Sequence, residues 1–210
     1  MADNGPGPRT LVLATRNGHK VREVSRLLEP SGIAVEPLPE GVELPPEVGE
    51  TFADNALPKA RAAAAATGRP AIADDSGIEA EALNGVPGVQ SARYAGEHAS
   101  DEENLEKLMR TVPVGSPLRY VCVLAYVDPG RGEERVFFGE CRGSLAGARR
   151  GSRGFGYDPA FIPDELPEED GRDRTMAELS DLEKDRISHR GHAVRALAEW
   201  LGNVATTEEG

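Results

Sequence analysis

Residues 10–28 of the sequence predict a strand, a polar loop and an amphipathic helix in immediate succession. The apolar run TLVLAT at residues 10–15 has the length of a buried strand, and the polar residues RNGHK follow it. Apolar side chains then recur at helical spacing at Val21, Val24, Leu27 and Leu28. A strand that passes directly into a helix is typical of α/β proteins, in which helices cover a central sheet.

Helix and strand patterns continue to alternate in the middle of the chain. Thr51 predicts the capped start of an Ala-rich helix, which should end at Gly68. Residues 70–75 then form a second short strand candidate, which ends on two aspartates. Ser100 and Glu103 have the spacing of a capping box and predict the start of another helix.

A long antiparallel hairpin is expected in the second half of the chain. Residues 118–128 and 134–146 are rich in Val, Phe and Tyr and flank the turn sequence PGRGE. Together with the earlier units, this pair predicts an α/β fold with a mixed sheet and helices packed on it. We find no internal repeat and no linker, so we expect one domain over residues 10–203, between a flexible segment 1–9 and a disordered tail 204–210.

Composition limits the classes of function. The formal net charge of −12 argues against a general nucleic-acid binder, because clustered Lys and Arg hold phosphate backbones. No apolar stretch approaches the roughly 18 residues of a membrane span. The first ten residues do not read as a signal peptide. Cys122 and Cys141 are too few for a disulfide framework, so we expect buried thiols and a cytoplasmic protein.

The polar loop TRNGHK at residues 15–20 is the first candidate ligand site. It lies between a strand and a helix, where α/β proteins commonly bind ligands. The Thr15 hydroxyl, the Asn17 amide, the Lys20 ammonium and the backbone N–H groups of a helix start together suit a phosphate. The P-loop pattern is missing, so a capped helix start with a surface lysine is the alternative.

Two adjacent carboxylates, Asp74 and Asp75, follow the second strand candidate. Adjacent strand residues point to opposite faces, which favours one working aspartate. A carboxylate can bind Mg²⁺ together with waters and substrate phosphates, and it can take a proton from an attacking water. The alternative is a turn in which one side chain caps the backbone and the other is solvated. Glu47 and Glu50 either supply a further metal ligand or complement a helix dipole.

Two later segments are candidates for binding a base. The sequence GSRGFGYDPAF places Phe155 and Tyr157 in a glycine-rich backbone, which suits base stacking, although the two rings could instead fill the core. The sequence EKDRISHRGH gathers donors that either complement a helix end or read a base edge. A 6-keto purine would accept from such donors, whereas adenine presents an amino donor, and an unsatisfied buried donor costs about 1–3 kcal/mol. The donors are Lys184, Ser188, His189 and Arg190.

These segments, in this order, resemble the inosine/xanthosine triphosphate pyrophosphatase family. The similarity runs through LVLATRNGHKVREV, GETFADNALPKARAAA, AIADDSGIEAEALNGVPGVQSARYAG, GFGYDPAFIP and TMAELSDLEKDRISHRGHA. It covers nearly the whole chain, and five motifs in order are highly specific. Two departures are Pro58, where the family usually has an aliphatic residue, and a long acidic insertion at residues 164–174.

The resemblance implies an elongated central mixed β-sheet flanked by helices, two lobes with an intervening active-site cleft, and a homodimer. It implies Mg²⁺-dependent hydrolysis of ITP, dITP and XTP to the monophosphate and pyrophosphate. Asp75 would be the general base and a metal ligand, with Glu47 as the second carboxylate toward the metal. The substrate-binding residues would be Thr15, Arg16, Asn17, Gly18, His19, Lys20, Ser76, Phe155, Gly156, Tyr157, Asp158, Lys184, His189 and Arg190.

Two other interpretations of the sequence stay open. A module that senses purine nucleotides without hydrolysing them would keep the same phosphate and base contacts and would not need Asp75. A nucleotide hydrolase with another base preference, such as modified pyrimidines, would keep Asp75 and differ in substrate. The sequence also does not decide whether Asp74 or Glu50 binds the metal as well.

Overall fold

The computed structural model of the chain describes residues 10–166 and 173–208, with side chains as far as residue 204. The segment 1–9, predicted to be flexible, and residues 167–172 of the acidic insertion lie outside the described residues. The strands of the described part are β1 Thr10–Leu13, β2 Ala34–Pro37, β3 Ala71–Ala80, β4 Pro117–Asp128, β5 Glu133–Leu145 and β6 Phe161–Pro163.

The strands form a mixed sheet in the order β2-β1-β3-β4-β5-β6. β1 pairs in parallel with β2 and with β3, whereas β5 and β6 are antiparallel. β4 and β5 are neighbours joined by residues 129–132, as the predicted hairpin requires. The predicted α/β fold, a mixed sheet flanked by helices, is confirmed.

Two of the predicted helices begin at capping boxes, and one of them ends at a glycine. Thr51 and Asp54 cap each other in a capping box, as do Ser100 and Glu103, and Gly68 ends its helix in the left-handed conformation. No helix in this part of the chain is both long enough and apolar enough to cross a membrane. The helices are α1 Gly18–Leu28, α2 Phe52–Thr67, α3 Asp101–Thr111, α4 Asp181–Ile187 and α5 His189–Glu208.

The chain divides into two compact units. The first unit combines the residues up to Asp75 with Val123–Phe137 and the residues from Ala193 onward. The second unit combines Ser76–Cys122 with Phe138–His192. β3, β4, β5 and α5 each contribute residues to both units. Within β3 the boundary falls between Asp75 and Ser76, in the polar run DDSG.

Each unit has its own buried residues. In the first unit, the apolar residues of β1 are buried together with the alanines on one face of α2, namely Ala56, Ala60, Ala63 and Ala64. In the second unit, Leu105 and Leu108 of α3 join Tyr120, Phe161 and other residues in one hydrophobic cluster. Both cysteines are buried thiols, as predicted, and burial raises the pKa of the Cys141 thiol to about 12.

β3 is longer than the sequence predicted. The predicted strand ended at Asp75, because Asp, Ser and Gly are typical of turns. The observed strand continues to Ala80, and Ile78 and Ala80 are fully buried in the hydrophobic cluster of the second unit. Burial of these residues outweighs the weak strand preference of the polar ones, so the two aspartates lie within the strand.

The last helix also extends beyond its predicted end. The sequence analysis placed the end of the domain at residue 203 and a disordered tail after it, whereas α5 continues to Glu208. Residues 205–208 contain neither glycine nor proline, so nothing in their composition stops the helix. Residues 209–210 of the predicted tail lie outside the described residues.

Two glycine-to-alanine substitutions should change stability in opposite directions. Gly143 in β5 has no room for a methyl group, because it would meet the carbonyl oxygen of Ile162 and lie 2.7 Å from Phe161 Cζ. We expect Gly143→Ala to lower the free energy of unfolding by about 1–3 kcal/mol. A methyl group at the exposed Gly202 of α5 would meet no described atom within 4 Å.

Gly202→Ala should therefore raise the free energy of unfolding by about 0.5–1 kcal/mol, because alanine has the higher helix propensity. Urea denaturation followed by circular dichroism measures both changes. Equal effects of the two substitutions would contradict the close approach of β5 and β6 at Gly143.

Candidate active site

The two adjacent aspartates lie inside β3, and both are buried. Asp74 is 1% exposed and Asp75 is 5% exposed. Neighbouring strand residues point to opposite faces, and the two carboxylates accordingly have different partners. Lys20 Nζ lies 3.0 Å from Asp74 Oδ2, whereas the Asn55 amide donates a hydrogen bond of 2.9 Å to Asp75 Oδ2. Their burial contradicts the alternative of a turn with a solvated carboxylate.

A buried lysine of α2, Lys59, connects the groups around these aspartates. Its ammonium donates a hydrogen bond of 2.8 Å to the backbone carbonyl of Asp74 and forms an ion pair with Glu47. Asn55 precedes Lys59 by one helical turn, so the two side chains share a face of α2. We call the following residues, all in the first unit, the carboxylate cluster: Lys20, Glu47, Asn55, Lys59, Asp74 and Asp75.

The start of α2 positions Asn55. The Asn55 Oδ1 atom accepts a hydrogen bond of 2.7 Å from the Gly49 N–H, so the amide that donates to Asp75 also holds the incoming loop. A Cβ atom at Gly49 would lie 2.5 Å from Asp54 Cβ and 2.7 Å from Asn55 Oδ1. Glycine is therefore needed for this close approach of the loop to the helix.

The surroundings of Asp75 raise the pKa of its carboxyl group. Burial is the largest cause, because it disfavours the charged form, and the nearby Glu47 carboxylate raises the pKa further. The charges of Lys59 and Lys20 and the hydrogen bond from Asn55 lower the pKa, but together they do not outweigh burial. Asp75 is thus a stronger proton acceptor than an aspartate in water.

The oxygen donors of the carboxylate cluster suit a hard divalent cation. Within residues 10–166 and 173–208, no three His, Cys, Asp or Glu side chains are grouped closely enough to hold a metal by themselves. Mg²⁺ commonly takes one or two carboxylates and completes its shell with waters and substrate phosphates. Asp75 and the partly exposed Glu47 fit such a pair, whereas Glu50 is an exposed residue next to the start of α2.

The polar loop at residues 15–20 is a capped helix start. Asn17 Oδ1 accepts hydrogen bonds of 2.9 Å from the His19 N–H and 3.3 Å from the Lys20 N–H, and the Thr15 hydroxyl accepts from the Asn17 N–H. Asn17 therefore binds backbone donors that the sequence analysis assigned to a phosphate. Gly18 is the first residue of α1, and Lys20 is the loop residue that pairs with Asp74.

Two other loop residues, Arg16 and His19, contact neighbouring groups of the protein. The Arg16 guanidinium donates hydrogen bonds of 2.8, 2.9 and 3.0 Å to the backbone carbonyls of Leu38, Pro39 and Val42. It holds the loop that follows β2, a role that the sequence pattern did not indicate. His19 is exposed, and its Nδ1 atom lies 3.0 Å from a nitrogen of the Arg22 guanidinium.

A second group of polar residues surrounds Asp158 in the second unit. The buried Asp158 carboxylate accepts hydrogen bonds from Lys184 Nζ at 2.7 Å, from the Phe155 N–H at 3.0 Å and from the Tyr120 hydroxyl at 3.1 Å. Lys184 Nζ also lies 5.1 Å from the centre of the Phe155 ring, within the range of a cation–π interaction. We call the following residues the Asp158 cluster: Ser76, Tyr120, Phe155, Asp158, Lys184, His189 and Arg190.

The start of α5 brings His189 and Arg190 to this cluster. Ser188 caps the helix, because its hydroxyl accepts a hydrogen bond of 3.0 Å from the Gly191 N–H. Arg190 is fully buried and donates a hydrogen bond of 2.9 Å to the Ser76 hydroxyl, and its guanidinium carbon lies 5.8 Å from the Phe155 ring centre. The His189 ring is stacked on the Tyr120 ring, with 4.6 Å between the centroids and 5° between the planes.

Comparison with known proteins identifies the family. A sequence model of the Ham1 family matches residues 11–200, which hold both clusters. The chain belongs to the Ham1 family. Similar curated proteins include the dITP/XTP pyrophosphatase of Frankia alni, 48% identical over 94% of this chain and 99% of the relative. The dITP/XTP pyrophosphatase of Geobacillus kaustophilus is 46% identical over 95% of this chain and 100% of the relative. The family expected from the motifs is confirmed.

Solved structures of Ham1 relatives have the same fold. A HAM1 protein from Coxiella burnetii superposes with a TM-score of 0.80 at 39% identity and covers 93% of this chain and 99% of its own. A nucleoside-triphosphatase, dITP/XTP pyrophosphatase from Mycobacterium abscessus superposes with a TM-score of 0.66 at 43% identity and covers 90% and 98%.

Two residues of the glycine-rich segment form hydrogen bonds with residues outside the Asp158 cluster. The Tyr157 ring is buried in the hydrophobic cluster of the second unit, and its hydroxyl donates a hydrogen bond of 2.7 Å to the Ser91 carbonyl. The Gly156 N–H donates to the Asp101 carboxylate at 3.0 Å. In this Ham1-family chain, Tyr157 therefore fills the core beside the turn, which was the alternative to its expected place beside the base.

The sequence analysis missed three residues of the two clusters. The sequence did contain an indication for Asn55 and Lys59. Both fall on the face of α2 that buries Ala56, Ala60 and Ala63, where a buried polar side chain needs a partner. Nothing in the sequence indicated a site position for Tyr120, because a tyrosine in a strand rich in Val and Tyr is typical of a hydrophobic core.

The Asp158 carboxylate should be essential for stability. Asp158→Asn keeps the size of the side chain but removes the negative charge beside the buried Lys184 ammonium, so we expect a loss of about 3–5 kcal/mol in the free energy of unfolding. Glu106→Gln, which breaks an exposed pair with Arg149, should cost at most about 1 kcal/mol. Urea denaturation compares the two variants, and equal losses would show that Asp158 is not a buried ionic centre.

Proposed function

We propose that this Ham1-family chain hydrolyses ITP, dITP and XTP, which are non-standard purine nucleoside triphosphates, to the monophosphate and pyrophosphate, and thereby removes them from the nucleotide pool. The names of its relatives, dITP/XTP pyrophosphatase at 46% and 48% identity, support this activity. The observation that carries the proposal is the position of Asp75. Its carboxylate is buried and has a raised pKa, and the charges of Lys59 and Lys20 act on it. A proton acceptor beside cations suits water attack on a polyphosphate.

In the proposed reaction, Asp75 is the general base. The hydrogen bond from Asn55 fixes the orientation of its carboxylate. Asp75 takes a proton from a water molecule as the water oxygen forms a bond to the α-phosphorus. The bond between the α-phosphorus and the oxygen that bridges to the β-phosphorus breaks, and pyrophosphate leaves with that electron pair.

The two lysines of the carboxylate cluster are assigned different roles. Lys20 is the principal phosphate contact of the loop at residues 15–20, and Arg16 supports that loop through the carbonyls of residues 38–42. Lys59 keeps Glu47 and the Asp74 backbone in place. Mg²⁺ bound by Asp75 and Glu47 would neutralise charge on the phosphates and on the leaving group.

The Asp158 cluster is assigned to the purine base. Phe155 offers a ring on which the base can stack, next to the cations Lys184 and Arg190. His189, Lys184 and Arg190 are donors, which suit the 6-keto oxygen of hypoxanthine or xanthine. Adenine presents an amino donor at the same position of the purine. A buried donor of the protein would then be left unsatisfied at a cost of about 1–3 kcal/mol, or roughly ten- to a hundredfold in kcat/KM.

Replacing Asp75 should separate catalysis from binding. Asp75→Asn removes the proton acceptor and keeps the volume, so we expect kcat for ITP to fall by about 10²- to 10⁴-fold, the usual contribution of a general base. Calorimetry with ITP should still detect binding. Glu134→Gln, at an exposed ion pair with Arg61 in the same unit, is the control and should keep full activity.

Two results would contradict the role of Asp75. Full activity of Asp75→Asn would remove it as the general base. A wild-type protein that binds ITP and releases no pyrophosphate would instead be the nucleotide sensor that the sequence left open.

Isotope labelling tests which phosphorus is attacked. Hydrolysis of ITP in ¹⁸O-water with Mg²⁺ should place the label in the monophosphate, because the water oxygen binds the α-phosphorus. Label in pyrophosphate, or release of orthophosphate, would contradict the reaction.

Pyrophosphate release from XTP, dITP, ATP and dTTP measures base preference, and a preference for dTTP would favour the pyrimidine-directed hydrolase. The homodimer implied by the resemblance and the cytoplasmic location expected from the cysteine content are part of the proposal.

A further inference from the structure

Tyr120 of β4 contacts two separate parts of the Asp158 cluster. Its hydroxyl donates a hydrogen bond of 3.1 Å to Asp158 Oδ1, and its ring is stacked on His189. The ring also packs against Phe161, with 4.7 Å between the centroids and 55° between the planes. Burial raises the pKa of the Tyr120 hydroxyl well above its usual value, so the hydroxyl keeps its proton and acts as a donor.

The stacking fixes the orientation of the imidazole. A ring that lies within 5° of parallel to its neighbour cannot rotate about its Cβ–Cγ bond without colliding with that neighbour. Phe161, which is fully buried, in turn restricts Tyr120. The plane in which the His189 ring nitrogens lie is therefore set by a side chain that is itself held by the core.

The hydrogen bond to Asp158 has a parallel effect on Lys184. Tyr120 occupies Asp158 Oδ1, which leaves Oδ2 for Lys184 Nζ at 2.7 Å and for the Phe155 N–H at 3.0 Å. Rotation of the carboxylate would move both of these groups. One tyrosine thus restrains His189 directly and, through Asp158, also Lys184 and the backbone of Phe155.

We propose that Tyr120 is a positioning residue for base discrimination, which holds His189 and Lys184 in the directions needed to donate to a 6-keto purine. This inference rests on the proposed function. Tyr120 acts through other residues, so its loss should affect the recognition of the base more than the attack on phosphorus, whose groups lie in the carboxylate cluster. A tyrosine that merely filled the core would affect ITP and ATP equally.

The test uses two substitutions at Tyr120 and a matched control. Tyr120→Phe keeps the stacking and removes the hydrogen bond, whereas Tyr120→Met removes both and still fills the volume. Tyr126→Met is the control, because Tyr126 lies on the same strand, is buried, donates a hydrogen bond of 3.2 Å to Asp128 and packs on the Trp200 ring. Each protein is assayed for kcat and KM with ITP and with ATP, by pyrophosphate release.

We expect Tyr120→Phe to lower the ITP-over-ATP ratio of kcat/KM by about two- to tenfold, the range of one lost hydrogen bond. Tyr120→Met should lower it further by a similar factor for the lost ring pair, mainly through a higher KM for ITP. Tyr126→Met should leave the ratio unchanged. An unchanged ratio in Tyr120→Phe and Tyr120→Met, or an equal change in Tyr126→Met, would overturn the inference.

Proton NMR of the imidazole gives a readout that does not depend on turnover. The His189 ring signals, identified by their loss in His189→Gln, should keep their position in Tyr120→Phe and shift in Tyr120→Met, because the neighbouring ring current disappears. Unshifted signals in Tyr120→Met would overturn the stacking role.

If Tyr120→Met does not fold, the ITP-over-ATP ratio of kcat/KM in Tyr120→Phe decides. Wild-type protein that releases no pyrophosphate from ITP would overturn the proposed function and this inference together, whereas activity with unchanged ratios would overturn this inference alone.

Discussion

Two neighbouring carboxylates buried in one strand set the main constraint on the first unit. A buried charge is strongly unfavourable unless other groups pair with it, and strand geometry sends Asp74 and Asp75 to opposite faces. Partners must therefore arrive from different elements: Lys20 of α1 pairs with Asp74, and Asn55 of α2 donates to Asp75. Lys59 of α2 binds the Asp74 backbone carbonyl, and its charge acts on Asp75. The positions of both helices relative to β3 are consequently tied to the groups proposed for catalysis.

The second unit also buries a carboxylate, but with different partners. Asp158 accepts from an ammonium, a hydroxyl and a backbone N–H, so its oxygens are committed to fixed donors. For Asp75 the hydrogen-bonding partner is the neutral amide of Asn55, and burial outweighs the neighbouring charges in raising its pKa. This contrast suits Asp75 to accepting a proton and Asp158 to holding other groups in place.

The sequence predicted those features that depend on short-range patterns. The caps at Thr51 and Ser100 and the turn after β4 were correctly located, because the interacting residues are close in sequence. The motifs also identified the family. Contacts between distant residues were not predictable: the carbonyls held by Arg16 lie 22 to 26 positions away, and Lys59 meets the Asp74 backbone 15 positions away.

The same limit explains the remaining differences. The extent of β3 depends on Ile78 entering a core built from later segments, and the place of Tyr157 depends on the Ser91 carbonyl, 66 positions away. A tyrosine side chain suits either a core or a binding-site position. Sequence motifs therefore identify which residues can take part in the chemistry, whereas tertiary packing selects among them.

The proposed division of roles makes discrimination the more vulnerable property. In the proposed reaction, general-base catalysis would depend on Asp75 and a short set of neighbours, whereas discrimination would require several donors to point in fixed directions at once. A small rotation of His189 or Lys184 would leave the carboxylate cluster intact and still lower the preference for a 6-keto base. The result would be an active hydrolase with a broader substrate range, which would consume standard purine triphosphates. In this proposal, rigid packing behind the donors, such as Tyr120 against Phe161, would protect the substrate preference, which catalytic rate alone does not reveal.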